Sequence, residues 1–331
     1  MSNVLGFAKK AVLLYVVLGL PIFIVTTVIG SGSALPLLNG VILFGALYPK
    51  LGLRQWLIVT ALGVVAVFLA GEFATDPILL ALVIGIAALI AGISSKWGLQ
   101  IAFMLVPLNA AILSTNPAQL SPSERAGLIA AGAVFGAVIL GLLKVTAIER
   151  PDGLSWNGAV TYGAVLGLAV GIGTYVVTQH GLAHGYWLAV TFLAVMQPSL
   201  SDTRSKALLR VGGTVAGAIL ALLLSPVIPD GTLTIVGFAF LIAWALLNFS
   251  EWAKNVLLTV GVVLLVGATE GVQATASLRL VFTVIGGVIA LALSFLLPVA
   301  IRALGREVRT LEKLCSPLSQ AVDSLGLCRF I

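Results

Sequence analysis

The sequence predicts an all-α membrane protein of about twelve transmembrane helices, arranged as two parallel six-helix repeats and followed by a C-terminal amphipathic cytoplasmic helix. Three observations predict it. Of 331 residues, 60% are hydrophobic and only 9% charged, with a mean hydropathy of +1.16, whereas soluble proteins average about 45–50% apolar and 25% charged. The apolar residues gather into segments close to the length of about twenty that a spanning helix needs. Landmark residues then recur in order across the two halves of the chain.

The segments fall at about 11–30, 34–49, 54–71, 77–95, 99–115, 126–148, 158–178, 185–198, 207–228, 231–248, 253–269 and 278–298. Several are short, so their ends run into the interface or are capped by protein. The first is long enough to span and is not closed by a small-residue cleavage site, so the start of the chain is expected to be retained. In the two halves, Tyr15 matches Tyr162 at the start of a Gly-bearing helix, and Pro49 matches Pro198 at the end of a short one. Arg125 matches Arg279 before the last. Each offset is about 150 residues, which divides the chain into repeats at 1–150 and 151–299 and a tail at 300–331. An even number of spans per copy gives both the same orientation, with the repeat axis along the membrane normal.

The net charge of +6 and a pI near 9.6 come from cations scattered over short loops, which points away from nucleic acid and toward topology. One side collects Lys9, Lys10, Lys50, Arg54, Lys96, Lys144, Arg150, Arg204, Lys206, Arg210, Lys254 and the tail cations, and the other only Arg125 and Arg279. The positive-inside rule then places both termini in the cytoplasm of a bacterial inner-membrane protein. Glu72, Asp76, His180, His184, Asp230 and Glu270 would face the exterior. Glycines four apart, as in Gly163, Gly167 and Gly171, Gly132 with Gly136, and Gly213 with Gly217, suit close helix packing in lipid.

After Pro298, apolar residues from Ile301 to Leu325 recur at three and four, with charges between them, the pattern of an amphipathic helix. It would lie on the membrane, pair with another subunit or lead into a further domain. Cys315 and Cys328 both fall in this tail. In the cytoplasm they stay reduced, so neither a disulfide nor a metal site is expected. No cofactor is expected either.

Matched short or proline-broken helices in two repeats point to a transporter binding site. The second segment runs from Pro36 through Asn39, Gly40 and Gly45 to Tyr48-Pro49, and the eighth from Tyr186-Trp187 through Thr191 to Gln197-Pro198. Either these prolines end helices at the surface, or the helices stop at mid-depth and turn unpaired backbone groups into a cavity. Arg210 stands about one turn inside the expected ninth helix, four residues before Thr214 on the same face. It would snorkel to the interface, or its guanidinium fork would bind a carboxylate. Trp187 and Tyr186 would serve as interfacial aromatics or as a wall for an aromatic ligand. Asn109, Asn248 and Trp244 would hydrogen-bond or pack between helices, or line the path, while Lys144 snorkels.

Every Asp and Glu lies near a predicted helix end or in a loop, whereas many proton-coupled carriers use a buried carboxylate or histidine. No P-loop of the form GxxxxGK[ST] occurs, and no Ser/His/Asp or Cys/His group has enzymatic spacing. Catalysis is not expected.

Residues 184–223 hold Tyr186-Trp187, an apolar run into Gln197-Pro198, a basic hairpin with Arg204 and Lys206, and then Arg210, Gly213 and Thr214 as Arg-x-x-Gly-Thr. This stretch resembles the signature region of the fusaric acid resistance and aromatic acid exporter superfamily. The resemblance implies an efflux protein that exports aromatic or other small organic carboxylates, driven by the proton-motive force. Its expected partners are a small organic anion and the bilayer, with a homo-oligomer and a periplasmic adaptor protein as further candidates. Members of the family commonly carry a large cytoplasmic domain after each six-helix block. Here only a short connector near 149–156 and a short tail occur, so the chain departs from that pattern or is truncated. Two rival readings stand beside it. One is a passive organic-anion channel, since plant aluminium-activated malate channels resemble the same superfamily; the other is a non-transporting membrane scaffold.

Overall fold

The computed structural model describes residues 34–47, 51–114, 120–142, 153–229, 232–246 and 249–295, and among them there is helix and no strand. The first expected span, the amphipathic tail with its cysteines, Tyr48, Lys144 and Asn248 lie outside the described residues. The helices are α1 (Ala34–Asn39), which continues through a π turn at Gly40–Phe44 and a 3₁₀ turn at Gly45–Leu47, α2 (Leu53–Glu72), α3 (Pro77–Ile93) and α4 (Gln100–Ser114). They continue as α5 (Pro122–Leu142), α6 (Trp156–Gln179), α7 (Tyr186–Val195), α8 (Leu200–Leu224), α9 (Leu233–Leu246), α10 (Glu251–Glu270) and α11 (Val272–Phe295). Each therefore falls on one of the expected segments.

Local chemistry sets many of the starts. Asp76 accepts from the N–H groups of Ile78 and Leu79 at 2.9 and 3.0 Å ahead of Pro77, and Ser155 and Ser250 cap α6 and α10 in the same way. Ser121 and Glu124 form a capping box at α5: the Ser121 N–H donates to the Glu124 carboxylate at 2.7 Å, and the Glu124 N–H donates back to the Ser121 hydroxyl. Two expected boundaries move, the first for this reason. The ninth segment starts at Leu200 instead of 207, because Ser199 accepts from the Asp202 N–H and nucleates the helix early. Arg204 and Lys206 are consequently helical residues of the first turns of α8 and not members of a hairpin. The twelfth starts at Val272 instead of 278, which moves Arg279 from the very start of the span, where it was counted with the loop cations, to seven residues inside α11.

Glycine dictates which helices meet. Gly85 of α3 lies against Gly167 and Gly171 of α6, and Gly92 against Gly163. Gly40 and Gly45 press on Gly132 and Gly136 of α5, and Gly213 and Gly217 of α8 press on Asn255 and Thr259 of α10. Gly286 and Gly287 of α11 meet Thr191 of α7 and Val211 of α8. At such contacts a Cβ has no room, and the close approach returns the van der Waals contact that helix association in lipid depends on. Outward faces carry exposed apolar side chains such as Leu57, Ile86, Leu168, Ile172, Leu223 and Val288. Six described helices are long and apolar enough to cross a bilayer, and the chain is a membrane protein in contact with lipid.

Candidate functional site

The site is built around a half-helix. α7 has ten residues, about 15 Å at 1.5 Å per residue, or roughly half the hydrocarbon thickness. It stops because Met196 turns to an extended conformation ahead of Pro198, whose ring disfavours a helical residue before it. The carbonyl of Met196 is freed by the break, and it accepts from the buried Tyr162 hydroxyl at 2.9 Å and from the Gln197 side-chain amide at 2.7 Å. Gln100 in turn donates to Tyr162 Oη at 2.8 Å. The Gln197 N–H donates to Thr203 Oγ1 at 2.9 Å, which fastens the end of α7 to the first turn of α8. The break is thus internally satisfied, as non-helical backbone at membrane depth must be.

Beside it lies an open cavity of about 500 Å³ between the end of α7 and the starts of α8 and α10. Gln197, Asp202, Ser205, Lys206, Arg210, Glu251 and Asn255 supply its polar lining. With the helix starting at Leu200, Arg210 is ten residues in rather than one turn, about 15 Å along the axis. Its side chain is buried, not extended to the interface. Arg210 Nη1 donates to Asn255 Oδ1 at 3.3 Å, and Asn255 Nδ2 donates to the Glu251 carbonyl at 2.9 Å. Arg210 Nε and the Thr214 hydroxyl on the same face have no hydrogen-bond partner.

A second arginine, which its expected loop position concealed, completes the arrangement. Arg279 is 1% exposed, and its guanidinium carbon lies 4.0 Å from the centroid of the Trp187 ring. Arg279 Nε and Nη1 and Trp187 Nε1 are buried without partners. The ring of Tyr186 is 4.7 Å from that of Trp187, and His184 lies edge-on to Tyr186 at 5.9 Å. His184 Nε2 contacts Glu270 Oε2, closing the end of α10 onto the start of α7.

Of the expected site residues among those described, Gln197 and Arg210 line the cavity, Tyr186, Trp187 and Thr214 lie outside its lining, and a ring face of Trp187 is covered by Arg279. Asn39, Asn109 and Trp244 are not among the residues lining the cavity. Asn109 Nδ2 donates to the Leu105 carbonyl within its own helix at 2.8 Å, and Asn39 Nδ2 is buried without a partner. Arg125, also counted as a loop cation, lies on the first turn of α5 and donates to the Leu113 and Leu120 carbonyls at 2.6 and 3.1 Å. Sequence reasoning passed over Arg279 and Asn255. A signal for Arg279 was available in the small and polar face Thr275, Ala276, Arg279, Thr283 and Gly286, spaced at three and four.

Residues 168–293 match the model of the fusaric acid resistance protein-like family. The match covers 126 of the 331 residues. It takes in α7, α8, α10, both buried arginines and every residue lining the cavity, whereas Tyr162, which bonds the Met196 carbonyl, and Gln100, which bonds Tyr162, lie outside it. Neither the curated proteins nor the solved structures contain a match to this chain. The family match on a bundle of apolar helices supports a membrane transport or efflux role.

Proposed function

We propose that the protein is a transporter, without enzymatic activity, that exports aromatic or other small organic carboxylates across a bacterial inner membrane. The observation that carries the reading is Arg210: buried in an apolar bundle, bonded only to a neutral amide and lining a cavity. A buried cation without a counter-charge is costly in lipid and is retained where an anion or water visits it. Tyr186 adds an aromatic surface one half-helix away, packed on Trp187 at 4.7 Å.

The twelve-span, two-repeat arrangement with both termini in the cytoplasm is part of the proposal. Packing supports it: α1 pairs with α5 as α7 does with α11, and α2 and α3 each pair with α4 as α8 and α9 do with α10. The short helices α1 and α7 also end just before Pro49 and Pro198. Arg210 and Arg279 leave the loop tally, yet Arg54, Lys96, Arg204, Lys206 and Lys254 still outnumber Arg125.

A passive anion channel is the second reading, favoured by one observation. The described carboxylates, Glu72, Asp76, Glu124, Asp202, Glu251 and Glu270, are all exposed, so none of them forms a buried proton relay. Counterflow of aromatic and aliphatic acids in proteoliposomes, with and without a proton uncoupler, decides between them. Accumulation that the uncoupler abolishes supports export; flux that only follows the substrate gradient supports the channel. No carboxylate flux under either condition would overturn both.

A further inference from the structure

We infer that His184 and Glu270 form a proton-binding site that latches the start of α7 to the end of α10. His184 Nε2 contacts Glu270 Oε2, and 18% of the histidine side chain and 46% of the glutamate side chain are exposed, so solvent protons reach the pair. It stands at the end of α7 remote from the cavity, where it joins the turn between α6 and α7 to the turn between α10 and α11.

The start of α7 has little else to fasten it. α3, α5, α6, α8 and α10 each begin on an Asp or Ser side chain that accepts from the first turn, whereas α7 begins on Gly185 with no side-chain cap. His184 has a φ of +56°, and among the described residues no other side-chain-bearing residue is left-handed. Such a conformation persists only where its surroundings hold it. Backbone hydrogen bonds hold part of the turn, from the Leu182 N–H to the Val177 carbonyl at 2.9 Å and from the Trp187 N–H to the His184 carbonyl at 3.0 Å. Glu270 holds the ring.

Protonation changes the strength of that hold. A neutral imidazole makes one ordinary hydrogen bond to the carboxylate, and an imidazolium makes a charge-assisted one about twice as strong. Glu270 is the last residue of α10, whose C-terminal end carries partial negative charge of its own, so carboxylate and helix end both match a positive ring. Among the described residues, the other charged or titratable groups around His184 are Tyr186 on α7, edge-on at 5.9 Å, Arg279 of α11 beyond the Trp187 ring, and His180 at the end of α6. Asp76 of α3, which the α3–α6 glycine register sets opposite His180, is spent on the Ile78 and Leu79 N–H groups. One proton taken from solvent tightens the latch and its loss loosens it. The added stability is therefore present at low pH and is lost as pH rises through the range in which histidine changes charge.

The test is hydrogen exchange read by mass spectrometry on the purified full chain in detergent, at about pH 5.5 and about pH 8, either side of that range, with each rate divided by its intrinsic chemical rate. The chain has only two histidines, so few side chains change charge over the interval. In the native protein, protection of peptides covering the start of α7 should be roughly three- to tenfold greater at the lower pH. His184→Asn, in which asparagine tolerates the left-handed conformation, and Glu270→Gln should each abolish that difference, and His180→Gln should keep it. Equal native protection at the two pH values overturns the inference, and so does a difference that survives in His184→Asn. Should either latch variant not yield folded protein, the native comparison and the other variant still decide. None of these outcomes bears on the transport reading, which the proteoliposome flux tests separately.

Discussion

The guanidinium of Arg279 on α11 sits 4.0 Å from the ring centroid of Trp187 on α7, and this contact ties the half-helix to the last described helix. A desolvated cation–π pair contributes about 2 kcal/mol. Trp187→Leu should therefore cost about that much stability or more, and Trp187→Phe should retain part because a smaller ring keeps its negative face. Apparent melting of the detergent-purified variants checks this. Identical melting of Trp187→Leu and native protein would show that the pair does not hold α7.

Arg210→Gln should weaken apparent substrate affinity by about ten- to a hundredfold, since a hydrogen bond to an ionised group contributes about 1.5–3 kcal/mol. Arg210→Lys should recover only part, because the ammonium keeps the charge and loses the planar fork. If the arginine served only to anchor its helix, lysine would restore nearly everything and glutamine would lower protein yield instead of affinity. Transport against substrate concentration at matched protein levels separates these outcomes.

What was legible in the sequence was set by what dominates in lipid. Apolar length located the described helices, and the Gln197-Pro198 break, Arg210 and the glycine faces were visible because each violates an ordinary span. Arg279 was hidden because a cation near a segment end reads as loop, whereas the helix starts at Val272, six residues ahead of the expected 278. The early start of α8 was readable in principle from Ser199 and Asp202, a capping pair that the hydropathy of the run from 207 outweighed. Asn255 drew no attention because its role depends on a residue 45 positions earlier.

The glycine contacts predict sharply different tolerance at neighbouring positions. A Cβ at Gly92 or Gly163 would strike the backbone of the other helix, whereas one at Gly127 meets nothing within 4 Å. Gly92→Val and Gly163→Val should lose most of the monodisperse peak in size-exclusion chromatography, and Gly127→Val should keep it. Equal recovery of all three would remove the packing role assigned to the α3–α6 face.

Topology is testable with single cysteines introduced after replacing Cys315 and Cys328. Asp76 and Arg204 are both exposed and are expected on opposite sides. A membrane-impermeant thiol reagent applied to intact cells should label Asp76→Cys and spare Arg204→Cys until the membrane is permeabilised. The reverse pattern would invert the assigned orientation and, with it, the direction of export.

Asn255 offers a test of electrostatics at constant shape. Its Oδ1 accepts from Arg210 at 3.3 Å, so Asn255→Asp places a carboxylate of nearly the same size where the amide stood. The new charge should pair with Arg210 and occupy the position that a substrate anion needs. Affinity for carboxylates should then fall by about tenfold or more, the size of one lost charged hydrogen bond, while the folded protein melts no lower than the native. Asn255→Leu is the control: it removes the acceptor without adding charge, so it should loosen Arg210 and lower thermal stability, with a smaller loss of affinity. Asn255→Asp protein that binds carboxylates as tightly as the native chain would mean that the anion is held away from Arg210.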